Sequence, residues 1–413
     1  MVATQSRPAD SRESTALETP PGLAPTWWIW LAAWPVTAIF VLSNAATPLY
    51  VLWQRDFGFS KGTMTVVFAF YIVGLLGSLL VSGVASDRLG RRAVLLPALT
   101  LAAVACVIFA TAPSVIALMI ARLLTGIAVG AAVSAGMAAV TDVAGPGRKP
   151  LGALLASCAM VLGAGVGPLL AGVLSETAPA PTVTVFLVEI ALLATAFVTV
   201  LRMPLARPTS TGNGSWIRIP GVPRGNARQL ALGIAVFAPG ITATSFVLSL
   251  GPSLLSGLLG TTSRIIAGAM AFAMFLTATA VQFAVRSLPR PTIMTASAFG
   301  TALAMATLIL AIEAHSAPAL IAAALLAGTG QGLGQLGGLS LLNHTIQPTR
   351  LAEANAAFNV GGYIPAGLLP VSVGYLSDAV GLPTATTTFA ATLITLSAVA
   401  ATLILRNRQS LHP

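Results

Sequence analysis

Runs of about 20 apolar residues recur along the whole of this chain, separated by short polar turns. Each run is long enough to cross the roughly 30 Å hydrocarbon core of a bilayer as a helix. Lipid offers no water to backbone N–H and C=O groups, so a spanning segment must be a helix or part of a closed barrel. Here the runs are continuous rather than alternating, and Ala, Leu and Gly dominate them, which selects helices. Composition agrees: 56% of the residues are hydrophobic and 8% charged, against about 25% charged in soluble domains. The expected fold class is therefore an all-α membrane protein.

Twelve runs are expected to span, at about 27–53, 62–85, 93–112, 115–141, 151–174, 182–201, 229–250, 263–285, 292–312, 319–342, 354–376 and 383–405. A polar stretch rich in Pro, Gly and Arg, 202–228, divides them into two sets of six. The predicted organisation is a disordered tail 1–24, a six-helix half 25–201, a linker 202–228, a second half 229–405 and a tail 406–413. Residues 1–24 are polar and mixed in charge, and the first apolar run is long and Trp-rich, unlike a cleavable signal.

The net charge of +10 is not a nucleic-acid footprint, because the basic residues are scattered singly or in pairs. They follow the positive-inside pattern instead. Arg88, Arg91, Arg92, Arg148, Lys149, Arg202 and their counterparts fall on one side, whereas Arg55, Lys61 and Arg264 fall on the other. Both tails are then expected inside, in a plasma membrane. Cys106 and Cys158 lie in apolar runs and are expected as buried thiols. No nucleotide loop, metal cluster or nucleophile–base set is found, and His315, His344 and His412 are isolated. No cofactor, metal or catalytic residue is expected, and the chain is read as not an enzyme.

One turn concentrates charge: Gly83-Val84-Ala85-Ser86-Asp87-Arg88-Leu89-Gly90-Arg91-Arg92, between the second and third runs. Its glycines permit a tight reversal. Asp87 can face the positive end of a neighbouring helix, and Arg91 can fork onto a carboxylate. A topogenic loop that merely sets orientation is the plainer alternative. In sequence and position this turn resembles the loop signature of the major facilitator superfamily. The resemblance implies two pseudo-symmetric six-helix halves rocking about a midplane site. It also implies a conformational latch, Gly83, Asp87, Arg88, Gly90, Arg91 and Arg92 with Asp142 and the start of the eleventh helix near Ala354.

Two further motifs extend the resemblance. Arg122-Leu123-Leu124-Thr125-Gly126-Ile127-Ala128-Val129-Gly130 resembles the family's fourth-helix pattern, with Gly126 and Gly130 on one face for close packing. A buried arginine is costly in a membrane and is read as functional, bonding carbonyls of the first helix or sensing a carboxylate; snorkelling is the alternative. Gly163-Ala164-Gly165-Val166-Gly167-Pro168-Leu169-Leu170-Ala171-Gly172 resembles the family's antiporter motif, in which Gly163, Gly167, Pro168 and Gly172 bend the helix and press it on a neighbour.

Glu189 is the acid expected deep inside a span. With Arg122 it is the candidate for proton coupling, a structural role being the alternative. By family analogy helices one, four, seven and ten line the path. The candidate substrate cavity is Asn44, Thr47, Tyr50, Phe237, Thr242, Phe246, Gln331, Gln335, Asn359 and Tyr363, a weakly polar set. Proton-driven export of a small, mostly neutral or lipophilic drug or metabolite is the expected function. Uptake of a nutrient and a non-transporting sensor are the alternatives. The expected partners are that substrate, protons and the bilayer, with no nucleic acid, and the chain is expected to be a monomer.

Overall fold

A computed structural model of the chain describes residues 25–205, 215–217, 219–260, 263–285, 287–347 and 350–407. The predicted tail 1–24, most of the linker's first half and the end of the tail 406–413 lie outside them. Among the described residues, twelve helices are long and apolar enough to cross a membrane. In chain order they are α1 Thr26–Phe57, α2 Lys61–Leu89, α3 Arg91–Ala110, α4 Val115–Ala144, α5 Pro146–Thr177, α6 Pro181–Arg202, α7 Arg224–Gly257, α8 Arg264–Val285, α9 Arg290–Glu313, α10 Ala317–Thr345, α11 Leu351–Val380 and α12 Leu382–Arg406. The first six form one half and the last six the other. We call the end of the bundle that carries Asp87–Arg92 the basic face.

Breaks in the helices follow from the residues. Pro48 removes a donor from α1, and a 3₁₀ turn, Thr47–Leu49, interrupts it. A π turn, Ala132–Gly136, interrupts α4. Serines cap α2 and α4, where Thr63 N donates to Ser60 Oγ at 3.2 Å and Ala117 N to Ser114 Oγ at 3.4 Å. Gly90, at φ 97°, makes the reversal into α3.

Lipid tails are as apolar as the helices, so close packing rather than water exclusion holds the bundle together. Glycines supply the contact. A Cβ on Gly126 of α4 would lie 2.0 Å from Tyr71 O of α2. One on Gly167 of α5 would lie 2.0 Å from Val41 O of α1. Gly130 and Gly163 sit similarly tight against Ser78 and Thr37. The halves meet where α2 packs on α11 and α5 packs on α8.

Candidate functional site

Between the halves lies a cavity lined by α1, α2 and α5 on one side and α7, α8, α10 and α11 on the other. Five rings wall it: Phe40, Phe68, Tyr71, Phe275 and Tyr363. Four amides, Asn44, Gln282, Gln331 and Gln335, join the hydroxyls of Ser43, Thr244, Ser245 and Thr279. No charged side chain is among the described lining residues.

Of the ten predicted cavity residues, the structure brings Asn44, Gln331, Gln335 and Tyr363 together on this wall. The other six are not among the described lining residues. Phe237 stacks on Phe358 of α11 at 4.7 Å, and Phe246 on Phe389 of α12 at 4.4 Å. Neither is among the described lining residues, although Phe237 also meets the cavity-lining Tyr363 edge-on at 6.3 Å. The cavity face of α7 is Ile241, Thr244, Ser245 and Leu248, at the one-face spacing i, i+3, i+4, i+7. The hydroxyls of Thr242 and Thr47 are buried without hydrogen-bond partners among the described residues. Tyr50 is engaged by Arg122. Asn359 turns back to donate to Asn355 O at 2.8 Å. No α4 residue is among the described lining, whereas α2, α5 and α8 contribute to it. The α8 set, Phe275, Ala278, Thr279 and Gln282, repeats the one-face spacing of α7, which is the signal by which sequence reading can find it.

Arg122 is fully buried on α4. Its Nη1 donates to Ser43 O of α1 at 2.7 Å and its Nε to Tyr50 Oη. Its guanidinium carbon lies 5.1, 5.4 and 5.9 Å from the ring centroids of Tyr50, Phe68 and Tyr71. Glu189 is also buried, on α6, but neither carboxyl oxygen finds a hydrogen-bond partner among the described residues. The pair Arg122–Glu189 considered from depth alone is thus not formed. Glu189 lies outside the cavity lining, one turn from Phe186, which stacks on Phe109 at 4.9 Å.

On the basic face, Arg91 bridges two acids. Its Nη1 reaches Asp87 Oδ1 at 2.6 Å and its Nε reaches Asp142 Oδ2 at 2.9 Å. Arg88 donates to Ser215 O at 3.1 Å and lies 4.7 Å over the ring of Trp216, in the connecting segment. Arg92 donates to Met203 O at 2.8 Å. Further along that segment, Gly221 N donates to Glu353 O, in the first turn of α11, at 3.3 Å.

The opposite face carries a feature that sequence reading missed. Asp378, at the end of α11, accepts from Lys61 N at 3.0 Å and Gly62 N at 2.9 Å. It caps the start of α2 in the other half. Glu176, at the end of α5, accepts from Arg264 N and, at 3.2 Å, from Ile265 N, so it caps the start of α8. Arg264 Nη2 returns a bond to Ser175 O at 2.8 Å. The two caps share a local sequence, Gly172-Val173-Leu174-Ser175-Glu176 and Gly374-Tyr375-Leu376-Ser377-Asp378. In each, the serine bonds back to the glycine carbonyl, at 2.9 and 2.7 Å. A Cβ on Gly172 would lie 2.4 Å from Arg264 O, and one on Gly374 2.3 Å from Thr65 Oγ1. Carboxylates are favourable at helix N-termini, by about 0.3–1 kcal/mol when exposed and more when partly buried.

Known proteins place these features in a wider set. The sequence matches the profile described as Major Facilitator Superfamily over residues 29–286. It is 32% identical over 116 residues to the 3-(3-hydroxy-phenyl)propionate transporter of Escherichia coli (strain K12), covering 28% of this chain and 29% of that protein. It is 27% identical over 148 residues to the uncharacterized MFS-type transporter YfkF of Bacillus subtilis (strain 168), covering 36% of this chain and 38% of that one. These matches thus span well under half the length of either relative. In three dimensions the chain is similar to a bacterial homolog of the human lysosomal transporter Spinster, solved inward-facing and occupied. That likeness has a TM-score of 0.76 at 12% identity and covers 95% of this chain and 99% of that one.

Proposed function

The chain belongs to the Major Facilitator Superfamily, and from that premise we propose that it is a secondary active transporter exporting a small, mostly neutral or lipophilic, ring-bearing compound by proton antiport. The observation that carries this reading is the cavity. It lies between the halves, so movement of one half against the other exposes it to each face in turn. Five rings and four amides suit a flat, largely apolar cargo with few hydrogen-bonding groups. The E. coli relative, whose name specifies a phenyl-bearing substrate, supports a ring in the cargo.

In this reading the basic face is cytoplasmic, as the charge bias favours. The two carboxylate caps hold the outer face shut, and the cavity exchanges cargo on the inner side. Opening outward requires Asp378 and Glu176 to release α2 and α8, while Asp87 seats on the start of α11. The direction rests on the antiporter-like run Gly163–Gly172, whose glycines and Pro168 seal α5 against α1 and α8. Glu189 is the one fully buried carboxyl among the described residues, and it is offered as the group that carries the coupling proton.

Proteoliposomes with an imposed proton gradient test this. Ring-bearing compounds should move against the proton flux, and Glu189→Gln should leave a folded protein whose transport ignores the gradient. Transport indifferent to the gradient in the unmodified protein removes the antiport claim. Unchanged coupling in Glu189→Gln removes that residue from the mechanism.

A further inference from the structure

Arg122 carries a positive charge with an unfilled donor. Two of its nitrogens are used, by Ser43 O and Tyr50 Oη, but Nη2 has no hydrogen-bond partner among the described residues and the side chain is fully buried. None of the described ion pairs includes it. Glu189, the buried acid in the same half, has both oxygens unpartnered as well and does not serve it. The rings of Tyr50, Phe68 and Tyr71 face the cation, and ring quadrupoles offset part of the cost of burying it. They do not fill the open N–H group. A buried cation without an anion is among the most expensive arrangements a membrane protein can hold, and where it persists it marks a ligand or ion pathway.

Arg122 stands one layer behind the cavity wall. Ser43, whose carbonyl it holds, lines the cavity, and so do Phe68 and Tyr71, whose rings cover it. Tyr71 and Phe68 are thus shared between the cation and the cavity. Resting on the transporter reading above, but replacing its mostly neutral ring-bearing cargo with a singly charged one, we propose that Arg122 is an anion seat and that the cargo is a small aromatic monocarboxylate. The carboxylate meets the free Nη2, and the ring lies among Phe68, Tyr71, Phe275 and Tyr363. One charge is the right number. The cavity offers no second cation to a phosphate or dicarboxylate, and two of the three guanidinium nitrogens are already committed. Across the cavity, Gln331 holds a buried amide oxygen without a partner, a place for a hydroxyl donor on the ring.

Thermal unfolding of the purified full-length protein, titrated with benzoate, its neutral isostere benzamide, or chloride, tests the proposal. Benzoate should stabilise the protein at concentrations at least about tenfold below those benzamide needs, the scale of a charge-assisted hydrogen bond. Chloride should have no comparable effect. Arg122→Gln should erase the preference for the acid while keeping the benzamide response. Equal response to acid and amide, or no response to either, overturns the anion seat. Stabilisation by chloride equal to that by benzoate also overturns it, leaving an inorganic ion site only. If Arg122→Gln does not fold, the wild-type comparison decides alone, because a cavity without an anion seat treats acid and amide alike. The two readings fail separately. Equal binding of the pair leaves a transporter of uncharged rings, whereas bound compounds that never cross proteoliposome membranes sink the transporter reading itself.

Discussion

The two faces of this molecule hold charge in different ways. On the face opposite the basic one, each acid crosses from one half to the other: Glu176 of α5 onto α8, Asp378 of α11 onto α2. On the basic face, the central cluster of Arg91, Asp87 and Asp142 stays inside the first half. The same short sequence, glycine, two residues, serine and an acid, ends α2, α5 and α11, at Gly83–Asp87, Gly172–Glu176 and Gly374–Asp378. In two of the three places it bridges the halves, and in the third the acid is turned onto a neighbouring arginine. The difference is what a rocking bundle needs. On one face the acids join half to half, whereas on the other Asp87 and Asp142 both meet Arg91 of the same half.

The comparison can be broken in order of expected effect. Gly172→Leu drives a side chain into the backbone of α8, where even a Cβ would sit 2.4 Å from Arg264 O. It should abolish closure of that face, read as loss of transport with a folded, membrane-inserted protein by size exclusion. Next comes Glu176→Gln with Asp378→Asn. At about 1 kcal/mol per cap, the pair should raise the open fraction of that face roughly 30-fold. A cysteine at Ser253, in the pocket of that face, should react faster with a polar thiol reagent by that factor, in a background where Cys106 and Cys158 are serine. An unchanged rate means the caps do not hold the face. Asp142→Asn should act more weakly, by at most about 1 kcal/mol and less in high salt, because Arg91 and Asp142 are 23% and 50% exposed. A larger effect would show that the basic-face cluster already bears load in this state. Trp216→Ala should matter least. It removes an exposed stacking partner of Arg88, for about 0.5–1 kcal/mol, and transport rates should stay within a few fold.

Much of this architecture was legible in the sequence, and what was hidden has physical causes. Twelve apolar runs specify twelve helices because lipid permits little else. The charged turn is readable because so few charges exist to compete with it. Helix phase was harder. On α7 the phenylalanines around Pro239 draw the eye, but aromatic side chains are as useful between helices as toward a cavity. Phe237 and Phe246 are spent on Phe358 and Phe389, leaving the smaller Thr244 and Ser245 to face the cargo space. On α8 the cavity face begins with Phe275 and Ala278, so only Thr279 and Gln282 announce it. The cross-half caps join residues far apart in the chain, such as Arg264 and Glu176. No local pattern reveals that pairing, although the repeated Gly-x-Leu-Ser-acid segments are visible once the question is asked. Arg122 stood out as a buried charge, but its unfilled nitrogen is a fact of packing that spacing alone does not contain.

The central claim is that closing one face and opening the other are a single event. Pulsed electron resonance distances test it directly, with one pair of spin labels at Gln54 and Ser256, across the opposite-face pocket, and a second pair at Lys149 and His344, near the basic ends of α5 and α10. In the Glu176→Gln, Asp378→Asn variant the first distance should lengthen and the second should shorten, relative to the unmodified caps. If the first lengthens while the second stays fixed or lengthens too, the faces are not coupled and the alternating-access account is contradicted.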